Sequence, residues 1–289
     1  MRKITKAILP VAGFGTRFLP ATKAQPKEML PVVDKPAIQY LVEDAVAAGI
    51  EEIIFVTGRG KRAIEDHFDY SFELDKTLVE KNKLDLVKQV RRISEMAKFS
   101  YVRQPLPLGD GHALACAAHL VYDEPVLVMF GDTLYDAEEG PASQVLKTFA
   151  KYGDPVIGLS AVDHQEVSKF GVIEGVSLPG NIYEIKQFIE KPKPSEAPSN
   201  LVAVGIYVIT PEVLTTLAQM KPRPNGELRL ADAFGQMLAA GRPLYGQELS
   251  GTWLDTGDKL SMIKANIQLG LKNKEIGADL RRFMENLLH

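Results

Sequence analysis

A chain of 289 residues with 45% hydrophobic and 25% charged side chains has the composition of an ordinary globular protein, which excludes disordered, fibrous and collagen-like chains. Its 34 basic and 37 acidic residues leave a formal net charge of -3 with no basic block. Nucleic acid is therefore excluded as a partner, because duplex binding needs a concentrated Lys/Arg surface. The single cysteine, Cys116, excludes an intramolecular disulfide and a Cys-rich metal site, and fits a reducing, cytoplasmic setting.

No apolar run approaches the ~20 residues that span a bilayer, so no membrane partner is expected. The start, Met1-Arg2-Lys3 and then Ala7-Ile8-Leu9-Pro10-Val11-Ala12, has too short an apolar run for a secretory leader and reads as a buried first strand. Apolar runs at 6–11, 52–57, 99–102, 126–130 and 156–161 predict strands, and helical patterns fall at 36–48, 61–67, within 72–96, at 111–121 and at 142–151. Strands apolar throughout, with helices between them, predict an α/β sandwich with a mostly parallel sheet. Within 72–98 the apolar positions Leu86, Val90, Ile93 and Met96 predict a solvated helix covering that sheet.

After Phe170 the pattern becomes strand-rich, at 170–174, 182–190 and 201–209, followed by helices from Pro211 and from Leu228. The stretch 191–200 carries three prolines and reads as a site-flanking loop. The segment at about 258–289 reads as two helices separated near Gly277.

Chemistry is concentrated where strands end. The first strand runs into Ala12-Gly13-Phe14-Gly15-Thr16-Arg17, followed by Pro26-Lys27-Glu28. Glycines after a strand let backbone N–H groups approach a phosphate, and Arg17 and Lys27 can neutralise its oxygens. A dinucleotide fingerprint would need glycine at 18, where Phe18 stands, and no Walker A loop occurs, since Gly60-Lys61 is followed by Arg62. Asp132 follows the apolar run 126–130, at the strand edge where open α/β sheets bind ligands. Asp255 lies at a second strand-to-turn junction. Two carboxylates converging on a nucleotide suit Mg2+, which takes oxygens from one or two carboxylates and from substrate phosphates. The five histidines show no metal-ligand spacing, and His112, in a glycine-rich helix entry, is the one with a place near a ligand.

The segments 11–20, 26–31, 34–36, 102–104, 109–113, 170–172, 189–193, 197–200 and 204–205 together resemble the bacterial UTP-glucose-1-phosphate uridylyltransferases of the sugar nucleotidyltransferase family, in order from about residue 4 to 270. Two motifs differ. Gly131-Asp132 stands where Pro-Asp is often found, and Trp253-Leu254-Asp255-Thr256-Gly257 is similar to a turn of thymidylyltransferases.

The resemblance implies a Rossmann-like nucleotidyltransferase fold, as a single domain over 1–289, that makes UDP-glucose and pyrophosphate from UTP and glucose 1-phosphate with Mg2+. It assigns Arg17 and Lys27 to the triphosphate, and Asp132 and Asp255 to the metal. The backbone of Ala12 and Gly13 with Gly15, Gln104 and Gly109 would hold the nucleotide, Gln104 offering an amide donor and acceptor to uracil. Gly171, Glu190, Val204 and Gly205 would face the glucosyl ring, with Lys191 on the sugar phosphate. For Glu190 and its neighbour Lys191 to reach one ligand, the strand must end or twist there. A homo-oligomer is also implied. The alternatives are a thymidylyl- or broad-specificity enzyme of the same class and a weakly catalytic regulatory paralogue.

Overall fold

The protein is described by a computed structural model covering residues 3–224 and 226–288. Met1, Arg2 and His289, which enter the readings of the two termini, lie outside the described residues.

In chain order, β1 (Lys6–Pro10) runs into three short 3-10 turns, then a small pairing of β2 (Pro31–Val32) with β3 (Lys35–Pro36), then α1 (Ala37–Ala47). There follow β4 (Glu52–Thr57), α2 (Arg62–Phe68), α3 (Phe72–Glu80), α4 (Leu84–Glu95), β5 (Lys98–Arg103) and α5 (Asp110–Val121). Next come β6 (Val126–Met129), β7 (Thr133–Asp136), α6 (Pro141–Tyr152) and β8 (Val156–Ala161). The second half contains β9 (Gly171–Leu178), β10 (Ile182–Glu190), β11 (Leu201–Ile209), α7 (Pro211–Gln219) and α8 (Leu230–Ala239). It finishes with β12 (Tyr245–Glu248), β13 (Thr252–Asp255), α9 (Lys259–Lys272) and α10 (Gly277–Leu288).

Nine strands form one sheet in the order β5-β4-β1-β6-β11-β8-β12-β10-β9. The first four are parallel, as the buried apolar runs require. The expectation of a mostly parallel sheet stops there: β11 is antiparallel to both β6 and β8, and β10 to both β12 and β9, with β12 and β8 parallel. Of these antiparallel pairs, β9 and β10 are consecutive strands joined by a short turn, a connection that needs no crossover helix.

Strand alternation divides the core into two layers. Leu9, Ile53, Phe55 and Leu127 pack with α1, α2, α6 and α9 on one face, while Ile8, Ile54, Val56 and Val128 pack with α5, α7 and α8 on the other. The 72–96 segment breaks into two helices around Asn82, which has a φ of 53°. Its register also differs from the reading: Val87 is buried and Leu86 exposed.

Candidate functional site

Because β1, β4, β5 and β6 run the same way, their C-terminal ends deliver Val11 to Arg17, Thr57 to Lys61, Gln104 and Gly131-Asp132 to one edge. Two cavities open there. One, of about 360 Å³, is lined by Ala12, Gly13, Lys27, Glu28, Gln104, Gly109, Asp110 and Asp132, among others. The second, of about 270 Å³, is lined by Arg17, Asp132, Lys169, Gly171, Glu190, Lys191, Val204, Gly205 and Asp255, among others. Asp110, Phe130 and Asp132 belong to both walls, so the cavities adjoin at Asp132. Of the residues singled out in the sequence, Gly15 and His112 line neither. Gly15 takes a left-handed conformation before the turn that carries Arg17, and its carbonyl accepts from Thr22 Oγ1 at 2.8 Å.

The two aspartates are brought together by a strand pair too short to read from the sequence. β7 and β13 pair antiparallel with Thr133 opposite Asp255, and the Thr256 N–H donates to the Asp132 carbonyl at 2.9 Å. A Cβ placed on Gly257 would lie 2.9 Å from Asp255 Oδ1, 3.2 Å from Asp132 Oδ2 and 3.5 Å from Arg17 Nη1. The glycine thus leaves a small space bounded by two carboxylates and a guanidinium. Among the described residues no group of three or more His, Cys, Asp or Glu could hold a metal. The donor set therefore fits a hard cation that draws its remaining oxygens from phosphates, and does not fit a metal caged by protein alone.

Lys27 Nζ donates to Asp132 Oδ2 at 2.6 Å. Burial alone would raise the Asp132 carboxyl, but the charge of Lys27, its hydrogen bond and Arg17 hold it below the usual carboxylate range. For Lys27, burial would lower the ammonium, and Asp132 and Glu28 outweigh it, so the group is raised. Asp255 moves up, first through burial and then through the charges of Asp132 and Asp258, against the Gly257 N–H and Lys27.

On the side of the first cavity, Gln104 Nε2 lies 2.9 Å from the Gly109 carbonyl and 3.1 Å from His112 Nδ1. A carbonyl can only accept, so this atom is the amide nitrogen, and its two N–H bonds are taken up by Gly109 and His112. Gln104 is therefore left with its Oε1 acceptor, not the donor and acceptor pair expected from the sequence. Gly109 holds a φ of 95°, and a side chain there would meet the Leu228 carbonyl at 2.5 Å, so glycine is required.

On the second side, β10 ends at Glu190, and Lys191 adopts a φ of 53°. This is the turn needed to bring both side chains to one cavity; Lys191 Nζ lies 3.9 Å from Glu190 Oε1. Glu190 also meets Arg229 Nη1 at 3.3 Å, and its carboxyl is raised chiefly by burial, with Lys191 and Arg229 opposing. Gly205 sits where β11 departs from regular register against β8, and its carbonyl accepts from the Phe130 N–H at 2.8 Å.

The sequence reading passed over several groups in these walls or bonded to them. Lys61 Nζ donates to Glu28 Oε2 at 2.8 Å, with side-chain exposures of 5% and 1%. Asp110 accepts from the Leu230 N–H at 2.8 Å and so caps the start of α8. Arg229 bridges Glu227, beside the first cavity, and Glu190, beside the second. The signal available for Asp110 was its place between two glycines; Lys61 left none, nor did the reach of Arg229 to Glu190, because these partners are 33 and 39 residues away in the chain.

Residues 6–270 match the nucleotidyl transferase family model. The chain is 45% identical over 289 residues, 100% of its length and 99% of the relative's, to UTP–glucose-1-phosphate uridylyltransferase of Bacillus subtilis (strain 168). A UTP-bound UGPase from Acinetobacter baumannii superposes with a TM-score of 0.91 at 38% identity, covering 99% of this chain and 100% of that one. A UDP-glucose pyrophosphorylase complexed with UDP-glucose does so with a TM-score of 0.86 at 39% identity, covering 94% and 100%. On its Rossmann-like fold, its paired cavities and this likeness along its whole length, the chain belongs to the nucleotidyl transferase family.

Proposed function

We infer that this chain transfers the uridylyl group of UTP to glucose 1-phosphate, giving UDP-glucose and pyrophosphate. The observation that carries the reading is the meeting of two cavities at Asp132, one lined by Gln104 and Gly109 and one bounded by a carboxylate and a lysine at Glu190 and Lys191. Such a site puts a nucleotide and a sugar phosphate end to end, as in-line displacement at the α-phosphorus requires.

A sugar phosphate has its second pKa at ~6 and already carries an anionic oxygen near neutrality, so no general base is needed. The protein's task is to hold two polyanions close and to offset their charge. Lys27 and Arg17 would bear on the triphosphate, Lys191 on the sugar phosphate, and Glu190 would accept from ring hydroxyls with Gly171, Val204 and Gly205 against the ring. The Ala12 and Gly13 backbone and Gly109 would flank the base, and Gln104 Oε1 would accept from its N3–H. Asp132 and Asp255 would hold Mg2+, which when bound neutralises phosphate charge and orients the leaving pyrophosphate.

The thymidylyl reading keeps one supporting observation: the Gln104 acceptor suits uracil and thymine alike. Every charged position the chemistry needs is occupied, which speaks against a regulatory paralogue. Among the described residues no helix is long and apolar enough to cross a membrane. A cytoplasmic setting and a homo-oligomer belong to the same reading, the latter supported by exposed Leu260, Ile263, Phe283 and Leu287 on α9 and α10. Pyrophosphate release with UTP, dTTP, CTP, ATP and GTP against a panel of hexose 1-phosphates, with and without Mg2+, tests the reading. UTP with glucose 1-phosphate should give the highest kcat/KM; a clear preference for another pair would refute it.

A further inference from the structure

Gln104 stands at the base end of the first cavity, and what its amide presents depends on a residue that lines neither cavity. His112, near the start of α5, places Nδ1 3.1 Å from Gln104 Nε2. Since both N–H bonds of that amide are committed, one to Gly109 O and one to His112 Nδ1, the ring must meet the second with a lone pair. His112 is fixed in place by the loop before it: the Gly111 N–H donates to Leu228 O at 2.9 Å, and the Leu228 N–H to Leu108 O at 2.7 Å.

We propose that His112 is a specificity-determining positioning residue, which locks the Gln104 amide with its oxygen toward the base and so selects pyrimidines bearing an N3–H over cytosine. Uracil and thymine offer a donor at N3; cytosine offers a lone pair, which would face Oε1 acceptor against acceptor. A rotated amide would accept cytosine, but it would turn Oε1 onto Gly109 O and His112 Nδ1, acceptor against acceptor. Gly109 O also accepts from the Ala113 N–H at 3.2 Å, whereas the other neighbour of His112 Nδ1 is the Cys116 thiol at 4.0 Å, a weak donor.

The inference rests on the uridylyl reading, and the experiment separates the two. Pyrophosphate release with UTP and with CTP, at saturating glucose 1-phosphate, is measured for the parent, His112→Phe and His112→Gln. The parent should prefer UTP; a parent that does not would refute the uridylyl reading itself. His112→Phe keeps a ring without an acceptor and should narrow the UTP/CTP ratio of kcat/KM by about 5- to 10-fold, the worth of one neutral hydrogen bond. The KM for glucose 1-phosphate should stay unchanged. His112→Gln, which retains an acceptor, should restore most of the ratio. An unchanged ratio in His112→Phe, or equal losses on both nucleotides, would overturn the proposal. Independently of any variant, nitrogen NMR of the parent should find His112 as the Nε2–H tautomer with Nδ1 unprotonated, and the opposite tautomer would also overturn it.

Discussion

Lys61→Met puts the buried wall of the first cavity to the test. The lysine and Glu28 are paired at 2.8 Å with side-chain exposures of 5% and 1%, so neither charge reaches water. Removing the ammonium leaves a carboxylate in that setting, and breaking a buried pair from one side costs about 3 to 5 kcal/mol. The nearest other cation, Lys27, already holds Asp132 at 2.6 Å but also feels Glu28, which points to the lower end of that range. A loss of about 3 kcal/mol is a large share of a typical total of roughly 5 to 15. At a slope of roughly 3 kcal/mol/M it moves the urea midpoint down by about 1 M. Glu28→Gln in the same chain should recover most of the loss, because a neutral isostere needs no counter-charge and keeps the packing of Glu28 Cγ, 2.8 Å from where a Gly131 Cβ would stand. Urea unfolding of the parent, both single variants and the double variant, closed as a double-mutant cycle, measures the coupling. A Lys61→Met loss under about 1 kcal/mol, or a double variant no more stable than Lys61→Met, would refute the argument.

Three further outcomes follow from the site and its surroundings. Asp132→Asn should lower Mg2+-dependent turnover at least about 100-fold, far beyond any effect on thermal unfolding from the lost pairing with Lys27, because charge stabilisation at a transferring phosphate is worth several kcal/mol; normal turnover would remove Asp132 from the chemistry. Lys191→Ala should raise the KM for glucose 1-phosphate about 10- to 100-fold with little change for UTP, and Glu190→Gln should mainly blur selection among hexose 1-phosphates, as steady-state kinetics on a sugar panel will register. Asp44, whose carboxyl accepts from the Ala142 N–H at the start of α6, is raised by burial to about 6 from 3.8, so its folded-state preference for the proton favours folding below pH 3.8 and is lost as pH rises to about 6. Asp44→Asn should therefore gain stability relative to the parent across that window, reaching up to about 3 kcal/mol near neutrality, and a pH-independent difference between the two would sink the reasoning.

What the sequence disclosed was governed by range. The parallel half of the sheet was legible because β1, β4 and β6 are short apolar runs buried on both faces, and their ends placed Asp132 and the Gly13 loop correctly. Lys191 was legible for a local reason, since the prolines after it forbid a continuing strand. By contrast, β7, β12 and β13 are four residues each and carry no period long enough to read, although β7 and β13 are what set Asp255 beside Asp132. The state of the Gln104 amide was equally hidden, because it depends on a carbonyl and a ring nitrogen whose orientation only the folded loop defines.

The pairing of Lys27 with Asp132 says something about how a site for two polyanions can exist in a folded protein before either arrives. A lone ammonium and a lone carboxylate at these positions would each be costly to bury. Placed 2.6 Å apart they neutralise one another, and the directions of their shifts, Lys27 up and Asp132 down, mean that both remain charged over the neutral range. On the proposed reading an arriving triphosphate would then not meet an uncompensated charge. It would give Lys27 a new anion while the Asp132 carboxylate became free to hold the cation, so each charge would exchange one partner for another. Asp255 does not share this arrangement: burial and Asp132 itself push its carboxyl up, and among the described residues no lysine or arginine is bonded to it. The same proximity that raises Asp255 in the free protein would therefore favour cation entry, since a divalent ion between the two carboxylates converts their repulsion into attraction.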